Sequence, residues 1–172
     1  LTVPTPNGTW QLVVELDYLP HDGLSTWRAS KLDARARLEA WIEHLALNTV
    51  IDEREAGRTV LVTRDRRLML EPLASRDPAD ALRELVRLMA RGLREPLPFM
   101  PELSWQAVKG KQWEPAGDDP TDAQGRDERR DAWVQLAWRG RSLTGDAAFG
   151  AVADEVYGAI AQRNGVASED EL

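Results

Sequence analysis

Apolar and polar residues alternate along the first part of the chain. Between residues 9 and 19, apolar side chains occupy every second position: Trp10, Leu12, Val14, Leu16 and Tyr18. This period of two predicts a strand with one apolar face. A turn at residues 20–23 precedes a shorter predicted strand at residues 24–28. Residues 1–8 contain two prolines and an Asn-Gly pair, so they are predicted to be a loop.

The period changes to that of a helix after residue 30. Apolar residues recur at helical spacing at Leu38, Trp41, Ile42 and Leu45. This spacing predicts an amphipathic helix over residues 31–48. Ser30 followed by Asp33 has the form of a capping box, which supplies acceptors for the free amides of a first helical turn.

Further elements follow in order. Two apolar runs, 58–63 and 67–73, predict a β-hairpin whose turn lacks glycine. Asp77 and Pro78 mark the start of a second long helix, and Gly92 is expected to end it in the left-handed conformation. Helical patterns also cover residues 104–111 and 126–139. Asp146 caps a last helix with apolar positions at Phe149, Val152, Val156, Tyr157 and Ile160.

These elements indicate the α+β class (α/β in the broader sense), with a small mixed sheet packed with about four helices. Residues 1–165 are long enough to form one domain with a substantial core. Residues 166–172 end in SEDEL and are expected to be a disordered acidic tail. Because the chain begins with Leu1 rather than methionine, we expect a fragment of a longer protein.

Composition narrows the possible functions. The chain has no cysteine, so disulfides and thiolate chemistry are excluded, which fits a cytoplasmic location. No apolar run is long enough to predict a membrane span. The net charge of -7 argues against a stand-alone nucleic-acid binder that relies on phosphate neutralisation.

Candidate chemistry is limited to acidic residues on the first predicted strand. Glu15 and Asp17 lie two residues apart, so their side chains point the same way. Such a pair could ligate Mg²⁺ in a two-metal nuclease site. The same pair could instead keep an exposed strand soluble. The chain lacks a phosphate-binding glycine loop and a nucleophile elbow, and with two histidines and no cysteine a zinc site is not expected. Of those histidines, His44 is expected to be structural.

Several segments, taken in order, resemble a known family. They are TWQLVVELDYLPHDGL, WRASKL and LEAWIEHLALN, then RTVLVTRDRRLMLEPL and DALRELVRLMARGLREPLPFMP, and finally RDAWVQLAWRG and GDAAFGAVADEVY. From residue 9 to residue 160 this order resembles the C-terminal domain of RecC. RecC is the gamma chain of exodeoxyribonuclease V, the RecBCD helicase–nuclease.

The resemblance implies a partial PD-(D/E)xK nuclease-like fold. Active members carry an acidic residue on one strand and Asp/Glu-x-Lys on the next. In this sequence Glu15 or Asp17 stands on the first strand. On the second, Trp27 and Arg28 occupy the critical positions, and Lys31 lies beyond them. In the helix that follows, Glu39 and Trp41 replace the expected glutamine and tyrosine. The resemblance therefore implies a catalytically inactive domain with no metal and no cofactor.

The resemblance also implies a role in an assembly. That role is a non-catalytic structural and DNA-guiding module in double-strand break repair and homologous recombination. It contacts the RecD and RecB subunits and helps to separate the duplex. Candidate partner contacts are Phe99, Trp105 and Trp113, which could equally well fill the core beneath their loop.

Two other functions remain open at this point. One is a metal-dependent DNA nuclease with a displaced site built from Glu15, Asp17 and Lys31. The other is a DNA-binding surface whose candidates share a positive charge near the start of the first long helix: Arg28, Lys31, Arg35 and Arg37.

Overall fold

The computed structural model describes residues 1–6, 8–16, 23–51, 57–72, 77–110, 136, 146–161 and 167–171. The chain forms two compact units, one made of residues 1–96 and 159–172 and the other of residues 97–158. Six strands and four helices are described. The strands are β1 (Thr2–Thr5), β2 (Gly8–Gln11), β3 (Leu24–Trp27), β4 (Thr59–Val62), β5 (Arg66–Leu70) and β6 (Ala167–Glu171). The helices are α1 (Ala34–Val50), α2 (Pro78–Gly92), α3 (Pro101–Val108) and α4 (Ala147–Ala161).

The first two strands form a separate antiparallel hairpin, with Val3 opposite Trp10. The predicted loop over residues 1–8 is therefore wrong. The predicted strand at residues 9–19 is right at residues 9–11 and wrong at residues 12–16, and residues 17–19 lie outside the described residues. Residues 12–16 have no regular structure, and the side chain of Val13 is 81% exposed. Alternation shows which positions are apolar, but it cannot show whether a neighbouring strand is present to pair with them.

The remaining strands form a four-stranded sheet in the order β3-β4-β5-β6. Strands β3 and β4 are parallel and are connected through α1, whereas β4–β5 and β5–β6 are antiparallel pairs. The expected mixed sheet, the α+β class and the hairpin at residues 58–73 are thus confirmed. The turn of that hairpin needs no glycine because the Thr63 hydroxyl stabilises it. This hydroxyl donates to the Arg66 carbonyl oxygen at 2.8 Å and accepts from the Arg66 amide at 3.1 Å.

The acidic C-terminal segment is not a disordered tail, because residues 167–171 form strand β6. Its register on β5 runs from Arg66 opposite Glu171 to Leu70 opposite Ala167. Composition misled the prediction because acidic residues normally weaken a strand. Here Arg67 of β5 lies opposite Asp170 of β6, which favours the pairing.

The two faces of the four-stranded sheet differ. Side chains on the inner face are buried, and α1 lies against strands β4 and β5 there. This set comprises Leu24, Thr59, Leu61, Leu68 and Leu70. The outer face carries Ser25 and Trp27 of β3, which are exposed, and Val62 and Arg67 of the following strands. The core therefore lies between α1, α2 and one face of the sheet.

Helix α1 begins at Ala34, and its cap is Asp33, whose carboxylate accepts a 2.8 Å hydrogen bond from the Ala36 amide. The prediction of Ser30 as the cap was three residues early. Trp41 and Leu45 of the predicted apolar stripe are buried, whereas Leu38 and Ile42 are only half-buried.

His44 is fully buried, as expected of a structural histidine. Its Nε2 lies 3.1 Å from the carbonyl oxygen of Glu71, so Nε2 carries the proton and donates. Nδ1 then accepts from the Thr59 hydroxyl at 3.0 Å and faces the Asn48 amide at 3.3 Å. Burial lowers the pKa of His44 to about 4. The neutral ring ties α1 to the sheet.

Helix α2 begins as predicted, with Asp77 accepting a hydrogen bond from the Ala79 amide at 2.8 Å and Pro78 in the first turn. The prediction for Gly92 was wrong, because Gly92 is the last helical residue and Leu93, with φ of -75°, follows it in a right-handed conformation. Helix α2 packs against α1 and β1. Among the residues described, no helix is long and apolar enough to cross a membrane.

The second unit is organised around Tyr157, which is fully buried. The rings of Phe99 and Trp105 pack against it at centroid distances of 5.9 and 5.7 Å. Asp146 caps α4 by accepting from the amides of Ala148 and Phe149, as predicted. The predicted apolar stripe of α4 is buried at all five positions. The predicted helix at residues 126–139 lies outside the described residues except at position 136, which is helical.

Candidate functional site: the end of strand β3 and the start of helix α1

The segment that links β3 to α1 is fixed to the β4–β5 hairpin by three hydrogen bonds. The Arg28 amide donates to the Val62 carbonyl oxygen at 2.8 Å, and the Arg64 amide donates to the Ser30 carbonyl oxygen at 3.0 Å. The Leu32 amide donates to the Asp65 carboxylate at 2.9 Å. This last bond is the main reason why the pKa of Asp65 is lowered. The corner is therefore rigid, and it presents the residues at the end of β3 in defined positions.

Arg28 interacts electrostatically with two carboxylates of α1. Its guanidinium forms an ion pair with Glu39, and both side chains are about two-fifths exposed. Glu43 lies one helical turn further on. Partial burial raises the pKa of Glu43; Arg28 lowers it and Glu39 raises it. One guanidinium therefore faces two carboxylates, so this cluster carries a net negative charge when both are ionised.

Arg37 holds the opposite edge of the sheet. Its guanidinium donates to both carboxylate oxygens of Glu169 on β6, at 2.9 and 3.0 Å, and to the Leu32 carbonyl oxygen at 3.0 Å. Arg66 lies 3.8 Å from the same carboxylate. The side chain of Arg37 is only 8% exposed. It is therefore a structural residue, and the geometry does not support its predicted contact with DNA.

The other predicted DNA contacts have different surroundings. Lys31 and Arg35 are exposed beside the first turn of α1. Lys31 helps to lower the pKa of Asp65. Arg28 is already engaged by Glu39. The DNA-contact role of Lys31 and Arg35 stays a prediction.

The residues near β3 do not fit a catalytic magnesium ion. Glu15 is exposed and lies outside any strand, and Asp17 is outside the described residues. Trp27 and Arg28 bring no carboxylate to the end of β3. Across the described ranges, no group of three His, Asp or Glu side chains could hold a metal ion. Because Mg²⁺ requires oxygen ligands in near-octahedral geometry, no catalytic step through a metal follows from these residues.

The predicted partner contacts are partly explained by packing. Trp105 is buried and Phe99 half-buried against Tyr157, so these two rings fill the core of the second unit. Trp113 lies outside the described residues.

Sequence reasoning missed the role of Glu43 and of Glu169. Glu39 and Glu43 are four residues apart on one helix, so their shared face was a usable signal. No local signal connects Glu169 to Arg37, which precedes it by 132 residues.

The fold and the site define a class: an α+β protein whose β3–α1 corner holds an arginine–glutamate cluster. A family model described as the RecC C-terminal domain matches residues 1–112, more than half of the chain. The chain belongs to the family of RecC C-terminal domains. RecC is the non-nuclease gamma subunit of exodeoxyribonuclease V, the RecBCD complex of DNA repair and recombination. A comparison with curated proteins finds no match.

Proposed function

We propose that this chain is a non-catalytic structural and DNA-guiding module of the RecBCD helicase–nuclease. In this role it contacts the RecD and RecB subunits and helps to separate the strands of a DNA duplex at a double-strand break. The module acts in the cytoplasm. The observation that carries the proposal is the ion pair between Arg28 and Glu39 at the end of β3.

The ion pair supports a non-enzymatic role for a physical reason. A metal-dependent nuclease needs free carboxylates to bind the ion and a cation that reaches the attacked phosphate. Here Arg28 forms an ion pair with Glu39 and lowers the pKa of Glu43, so its guanidinium already neutralises one carboxylate. Arg28 thus supplies positive charge where an active relative would hold a metal ion.

The proposed module is an inactivated nuclease-like domain. We assigned it to residues 1–165 from the sequence, but β6 pairs with β5 in the same sheet. This pairing supports a domain that includes β6. The charge of the chain supports a protein-facing role, because an excess of seven negative charges opposes wrapping of DNA.

Retention of partner subunits tests the proposal directly. The chain, carrying an affinity tag, is mixed with purified RecD and RecB, and bound protein is quantified. We expect at least one subunit to be retained. A matched control is the Gly23→Ala variant, which should be destabilised at the start of β3 because a Cβ atom there would lie 2.1 Å from the Arg58 carbonyl oxygen. Absence of retention of both subunits by the wild-type chain would refute the assembly role.

A cleavage assay tests the non-catalytic part of the proposal. Linear duplex and single-stranded DNA are incubated with the chain in Mg²⁺ and, separately, in Mn²⁺. We expect no metal-dependent cleavage. Cleavage that disappears in the Asp17→Ala variant would instead establish a displaced nuclease site.

A further inference from the structure

Strand β3 is an edge of the four-stranded sheet within the described part of the chain. The amides of Leu24 and Arg28 donate to carbonyl oxygens of the β4 side, at 2.9 and 2.8 Å. In a parallel pair, alternate residues turn their N–H and C=O groups toward the same neighbour. The backbone groups of Ser25 and Trp27 therefore point away from β4, toward the open edge. Both residues are exposed.

The two edges of the sheet are protected differently. Proteins commonly place charged residues on an edge strand to prevent further pairing. Strand β6 follows this rule, with the sequence ASEDE. Strand β3 has the sequence LSTW and carries no charge. Its Trp27 side chain is 79% exposed, and Val62 beside it is 37% exposed. Edge β3 thus combines open backbone groups with an uncovered aromatic side chain.

The cluster on the inner side of this edge has more carboxylates than cations. Arg28 follows Trp27 at the end of the strand. Its side chain pairs with Glu39 of α1 and lowers the pKa of Glu43. One cation faces two carboxylates, and Glu43 is partly buried without a hydrogen-bonded partner in the described chain. An added basic side chain at this position would complete the charge pairing.

We propose that the free edge of β3 binds an extended segment of a partner polypeptide as an additional strand. This inference rests on the proposed assembly role and names the surface and the kind of partner. In the added strand, one residue is apolar and packs on Trp27 at the outer face. Its neighbour in sequence points to the inner face and is Lys or Arg, which reaches Glu39 and Glu43. Main-chain hydrogen bonds to Ser25 and Trp27 set the register of the added strand on β3.

A polypeptide fits this edge better than a nucleic acid does. A strand satisfies the alternating donors and acceptors of Ser25 and Trp27, whereas a base stacked on Trp27 would leave them unpaired. The carboxylates of Glu39 and Glu43 would also repel phosphates on the inner side. Protection of this edge by single-stranded DNA is therefore one of the test outcomes that would overturn the inference.

The Ser25→Pro substitution tests the open edge of β3 without changing the pairing of β3 with β4. Proline removes the outward N–H and places its ring where an added strand would approach, but it leaves the β3–β4 ladder intact. We expect Ser25→Pro to keep the melting temperature within a few degrees of wild type and to weaken retention of the partner subunit at least tenfold. Ser25→Ala is the matched control and should bind normally, because it retains the amide. Thr26→Pro should unfold the sheet, because the amide of Thr26 points into the ladder.

Trp27→Ala and hydrogen exchange provide independent readouts if Ser25→Pro proves unstable. Trp27→Ala removes an exposed side chain and should weaken retention of the subunit without a loss of stability. In the assembled RecBCD complex, the amides of Ser25 and Trp27 should exchange at least tenfold more slowly than in the free chain.

Four results would overturn the inference. The first is unchanged retention by folded Ser25→Pro and Trp27→Ala variants, which would leave the assembly role intact and reject only the edge. The second is equal exchange of both amides in the free and assembled states. The third is protection of the same amides by a single-stranded oligothymidylate probe, which would assign the edge to nucleic acid. The fourth is failure of the wild-type chain to retain either subunit, which would reject the assembly role and this inference together.

Discussion

Removal of the Arg37 side chain should destabilise the first unit substantially. The Arg37 guanidinium donates two hydrogen bonds to Glu169 and one to the Leu32 carbonyl oxygen. Breaking a buried ion pair by removing one partner costs about 3–5 kcal/mol in other proteins. The Glu169 side chain is 22% exposed and keeps Arg66 at 3.8 Å, so part of this penalty is relieved. We expect Arg37→Ala to lower the free energy of unfolding by about 2–3 kcal/mol.

Urea unfolding followed by circular dichroism measures this loss, and a double-mutant cycle assigns it. Arg37→Met and Glu169→Gln remove the charges with little change in volume, and their coupling energy should be about 1–3 kcal/mol. Arg83→Ala is the matched control, because Arg83 pairs with Asp80 on an exposed helix face. It should cost less than about 0.5 kcal/mol. If Arg37→Ala is as stable as that control but binds DNA more weakly, the buried-pair explanation is wrong and Arg37 is a DNA contact.

Three further predictions concern single residues. Acid should destabilise the fold through His44, whose pKa in the folded protein is about 4, below the usual 6.5. Because the unfolded chain binds the proton first, the contribution of His44 to stability is full above pH 6.5 and falls as the pH drops toward 4. The loss, about 2–3 kcal/mol at pH 4.5, should be seen in urea midpoints and be absent in His44→Gln. Gly23→Ala should cost at least about 2 kcal/mol, because φ is +76° and a Cβ atom would lie 2.1 Å from the Arg58 carbonyl oxygen. Gly150→Ala, on an open helix face, should instead raise the melting temperature slightly. Asp77→Ala should cost about 1 kcal/mol through loss of the α2 cap, and a cost near zero in thermal melts would contradict that role.

The elements that sequence predicted well depend on local signals. Asp77 and Asp146 cap helices in the structure because a short carboxylate followed by helix formers satisfies nearby amides wherever the helix lies. The stripe of α4 is buried because its helical period leaves one apolar face. The β4–β5 hairpin follows from two adjacent β-forming runs. Each of these predictions needs only residues that are close in sequence.

The elements that sequence missed depend on distant partners. Strand β6 exists because β5 offers an edge and Arg37 offers a buried guanidinium to Glu169, and neither is visible in the sequence ASEDE. The candidate site shows the same limit. The sequence placed Trp27 and Arg28 at the end of β3 correctly. It did not reveal that Glu39 binds Arg28, because that contact depends on how α1 lies against the strand.

The pairing of β5 with β6 has a consequence for the order of folding during synthesis. Strand β5 ends at residue 70 and β6 begins at residue 167. At roughly 5–20 residues per second, a ribosome needs on the order of 5–20 s to make the intervening chain. During this interval β3, α1, β4 and β5 are already available, but β5 has an open edge and Arg37 lacks its carboxylate. A nascent chain stalled before residue 167 should therefore be more sensitive to protease than the released chain. Pairing of β6 with β5 is then the last step in forming the sheet.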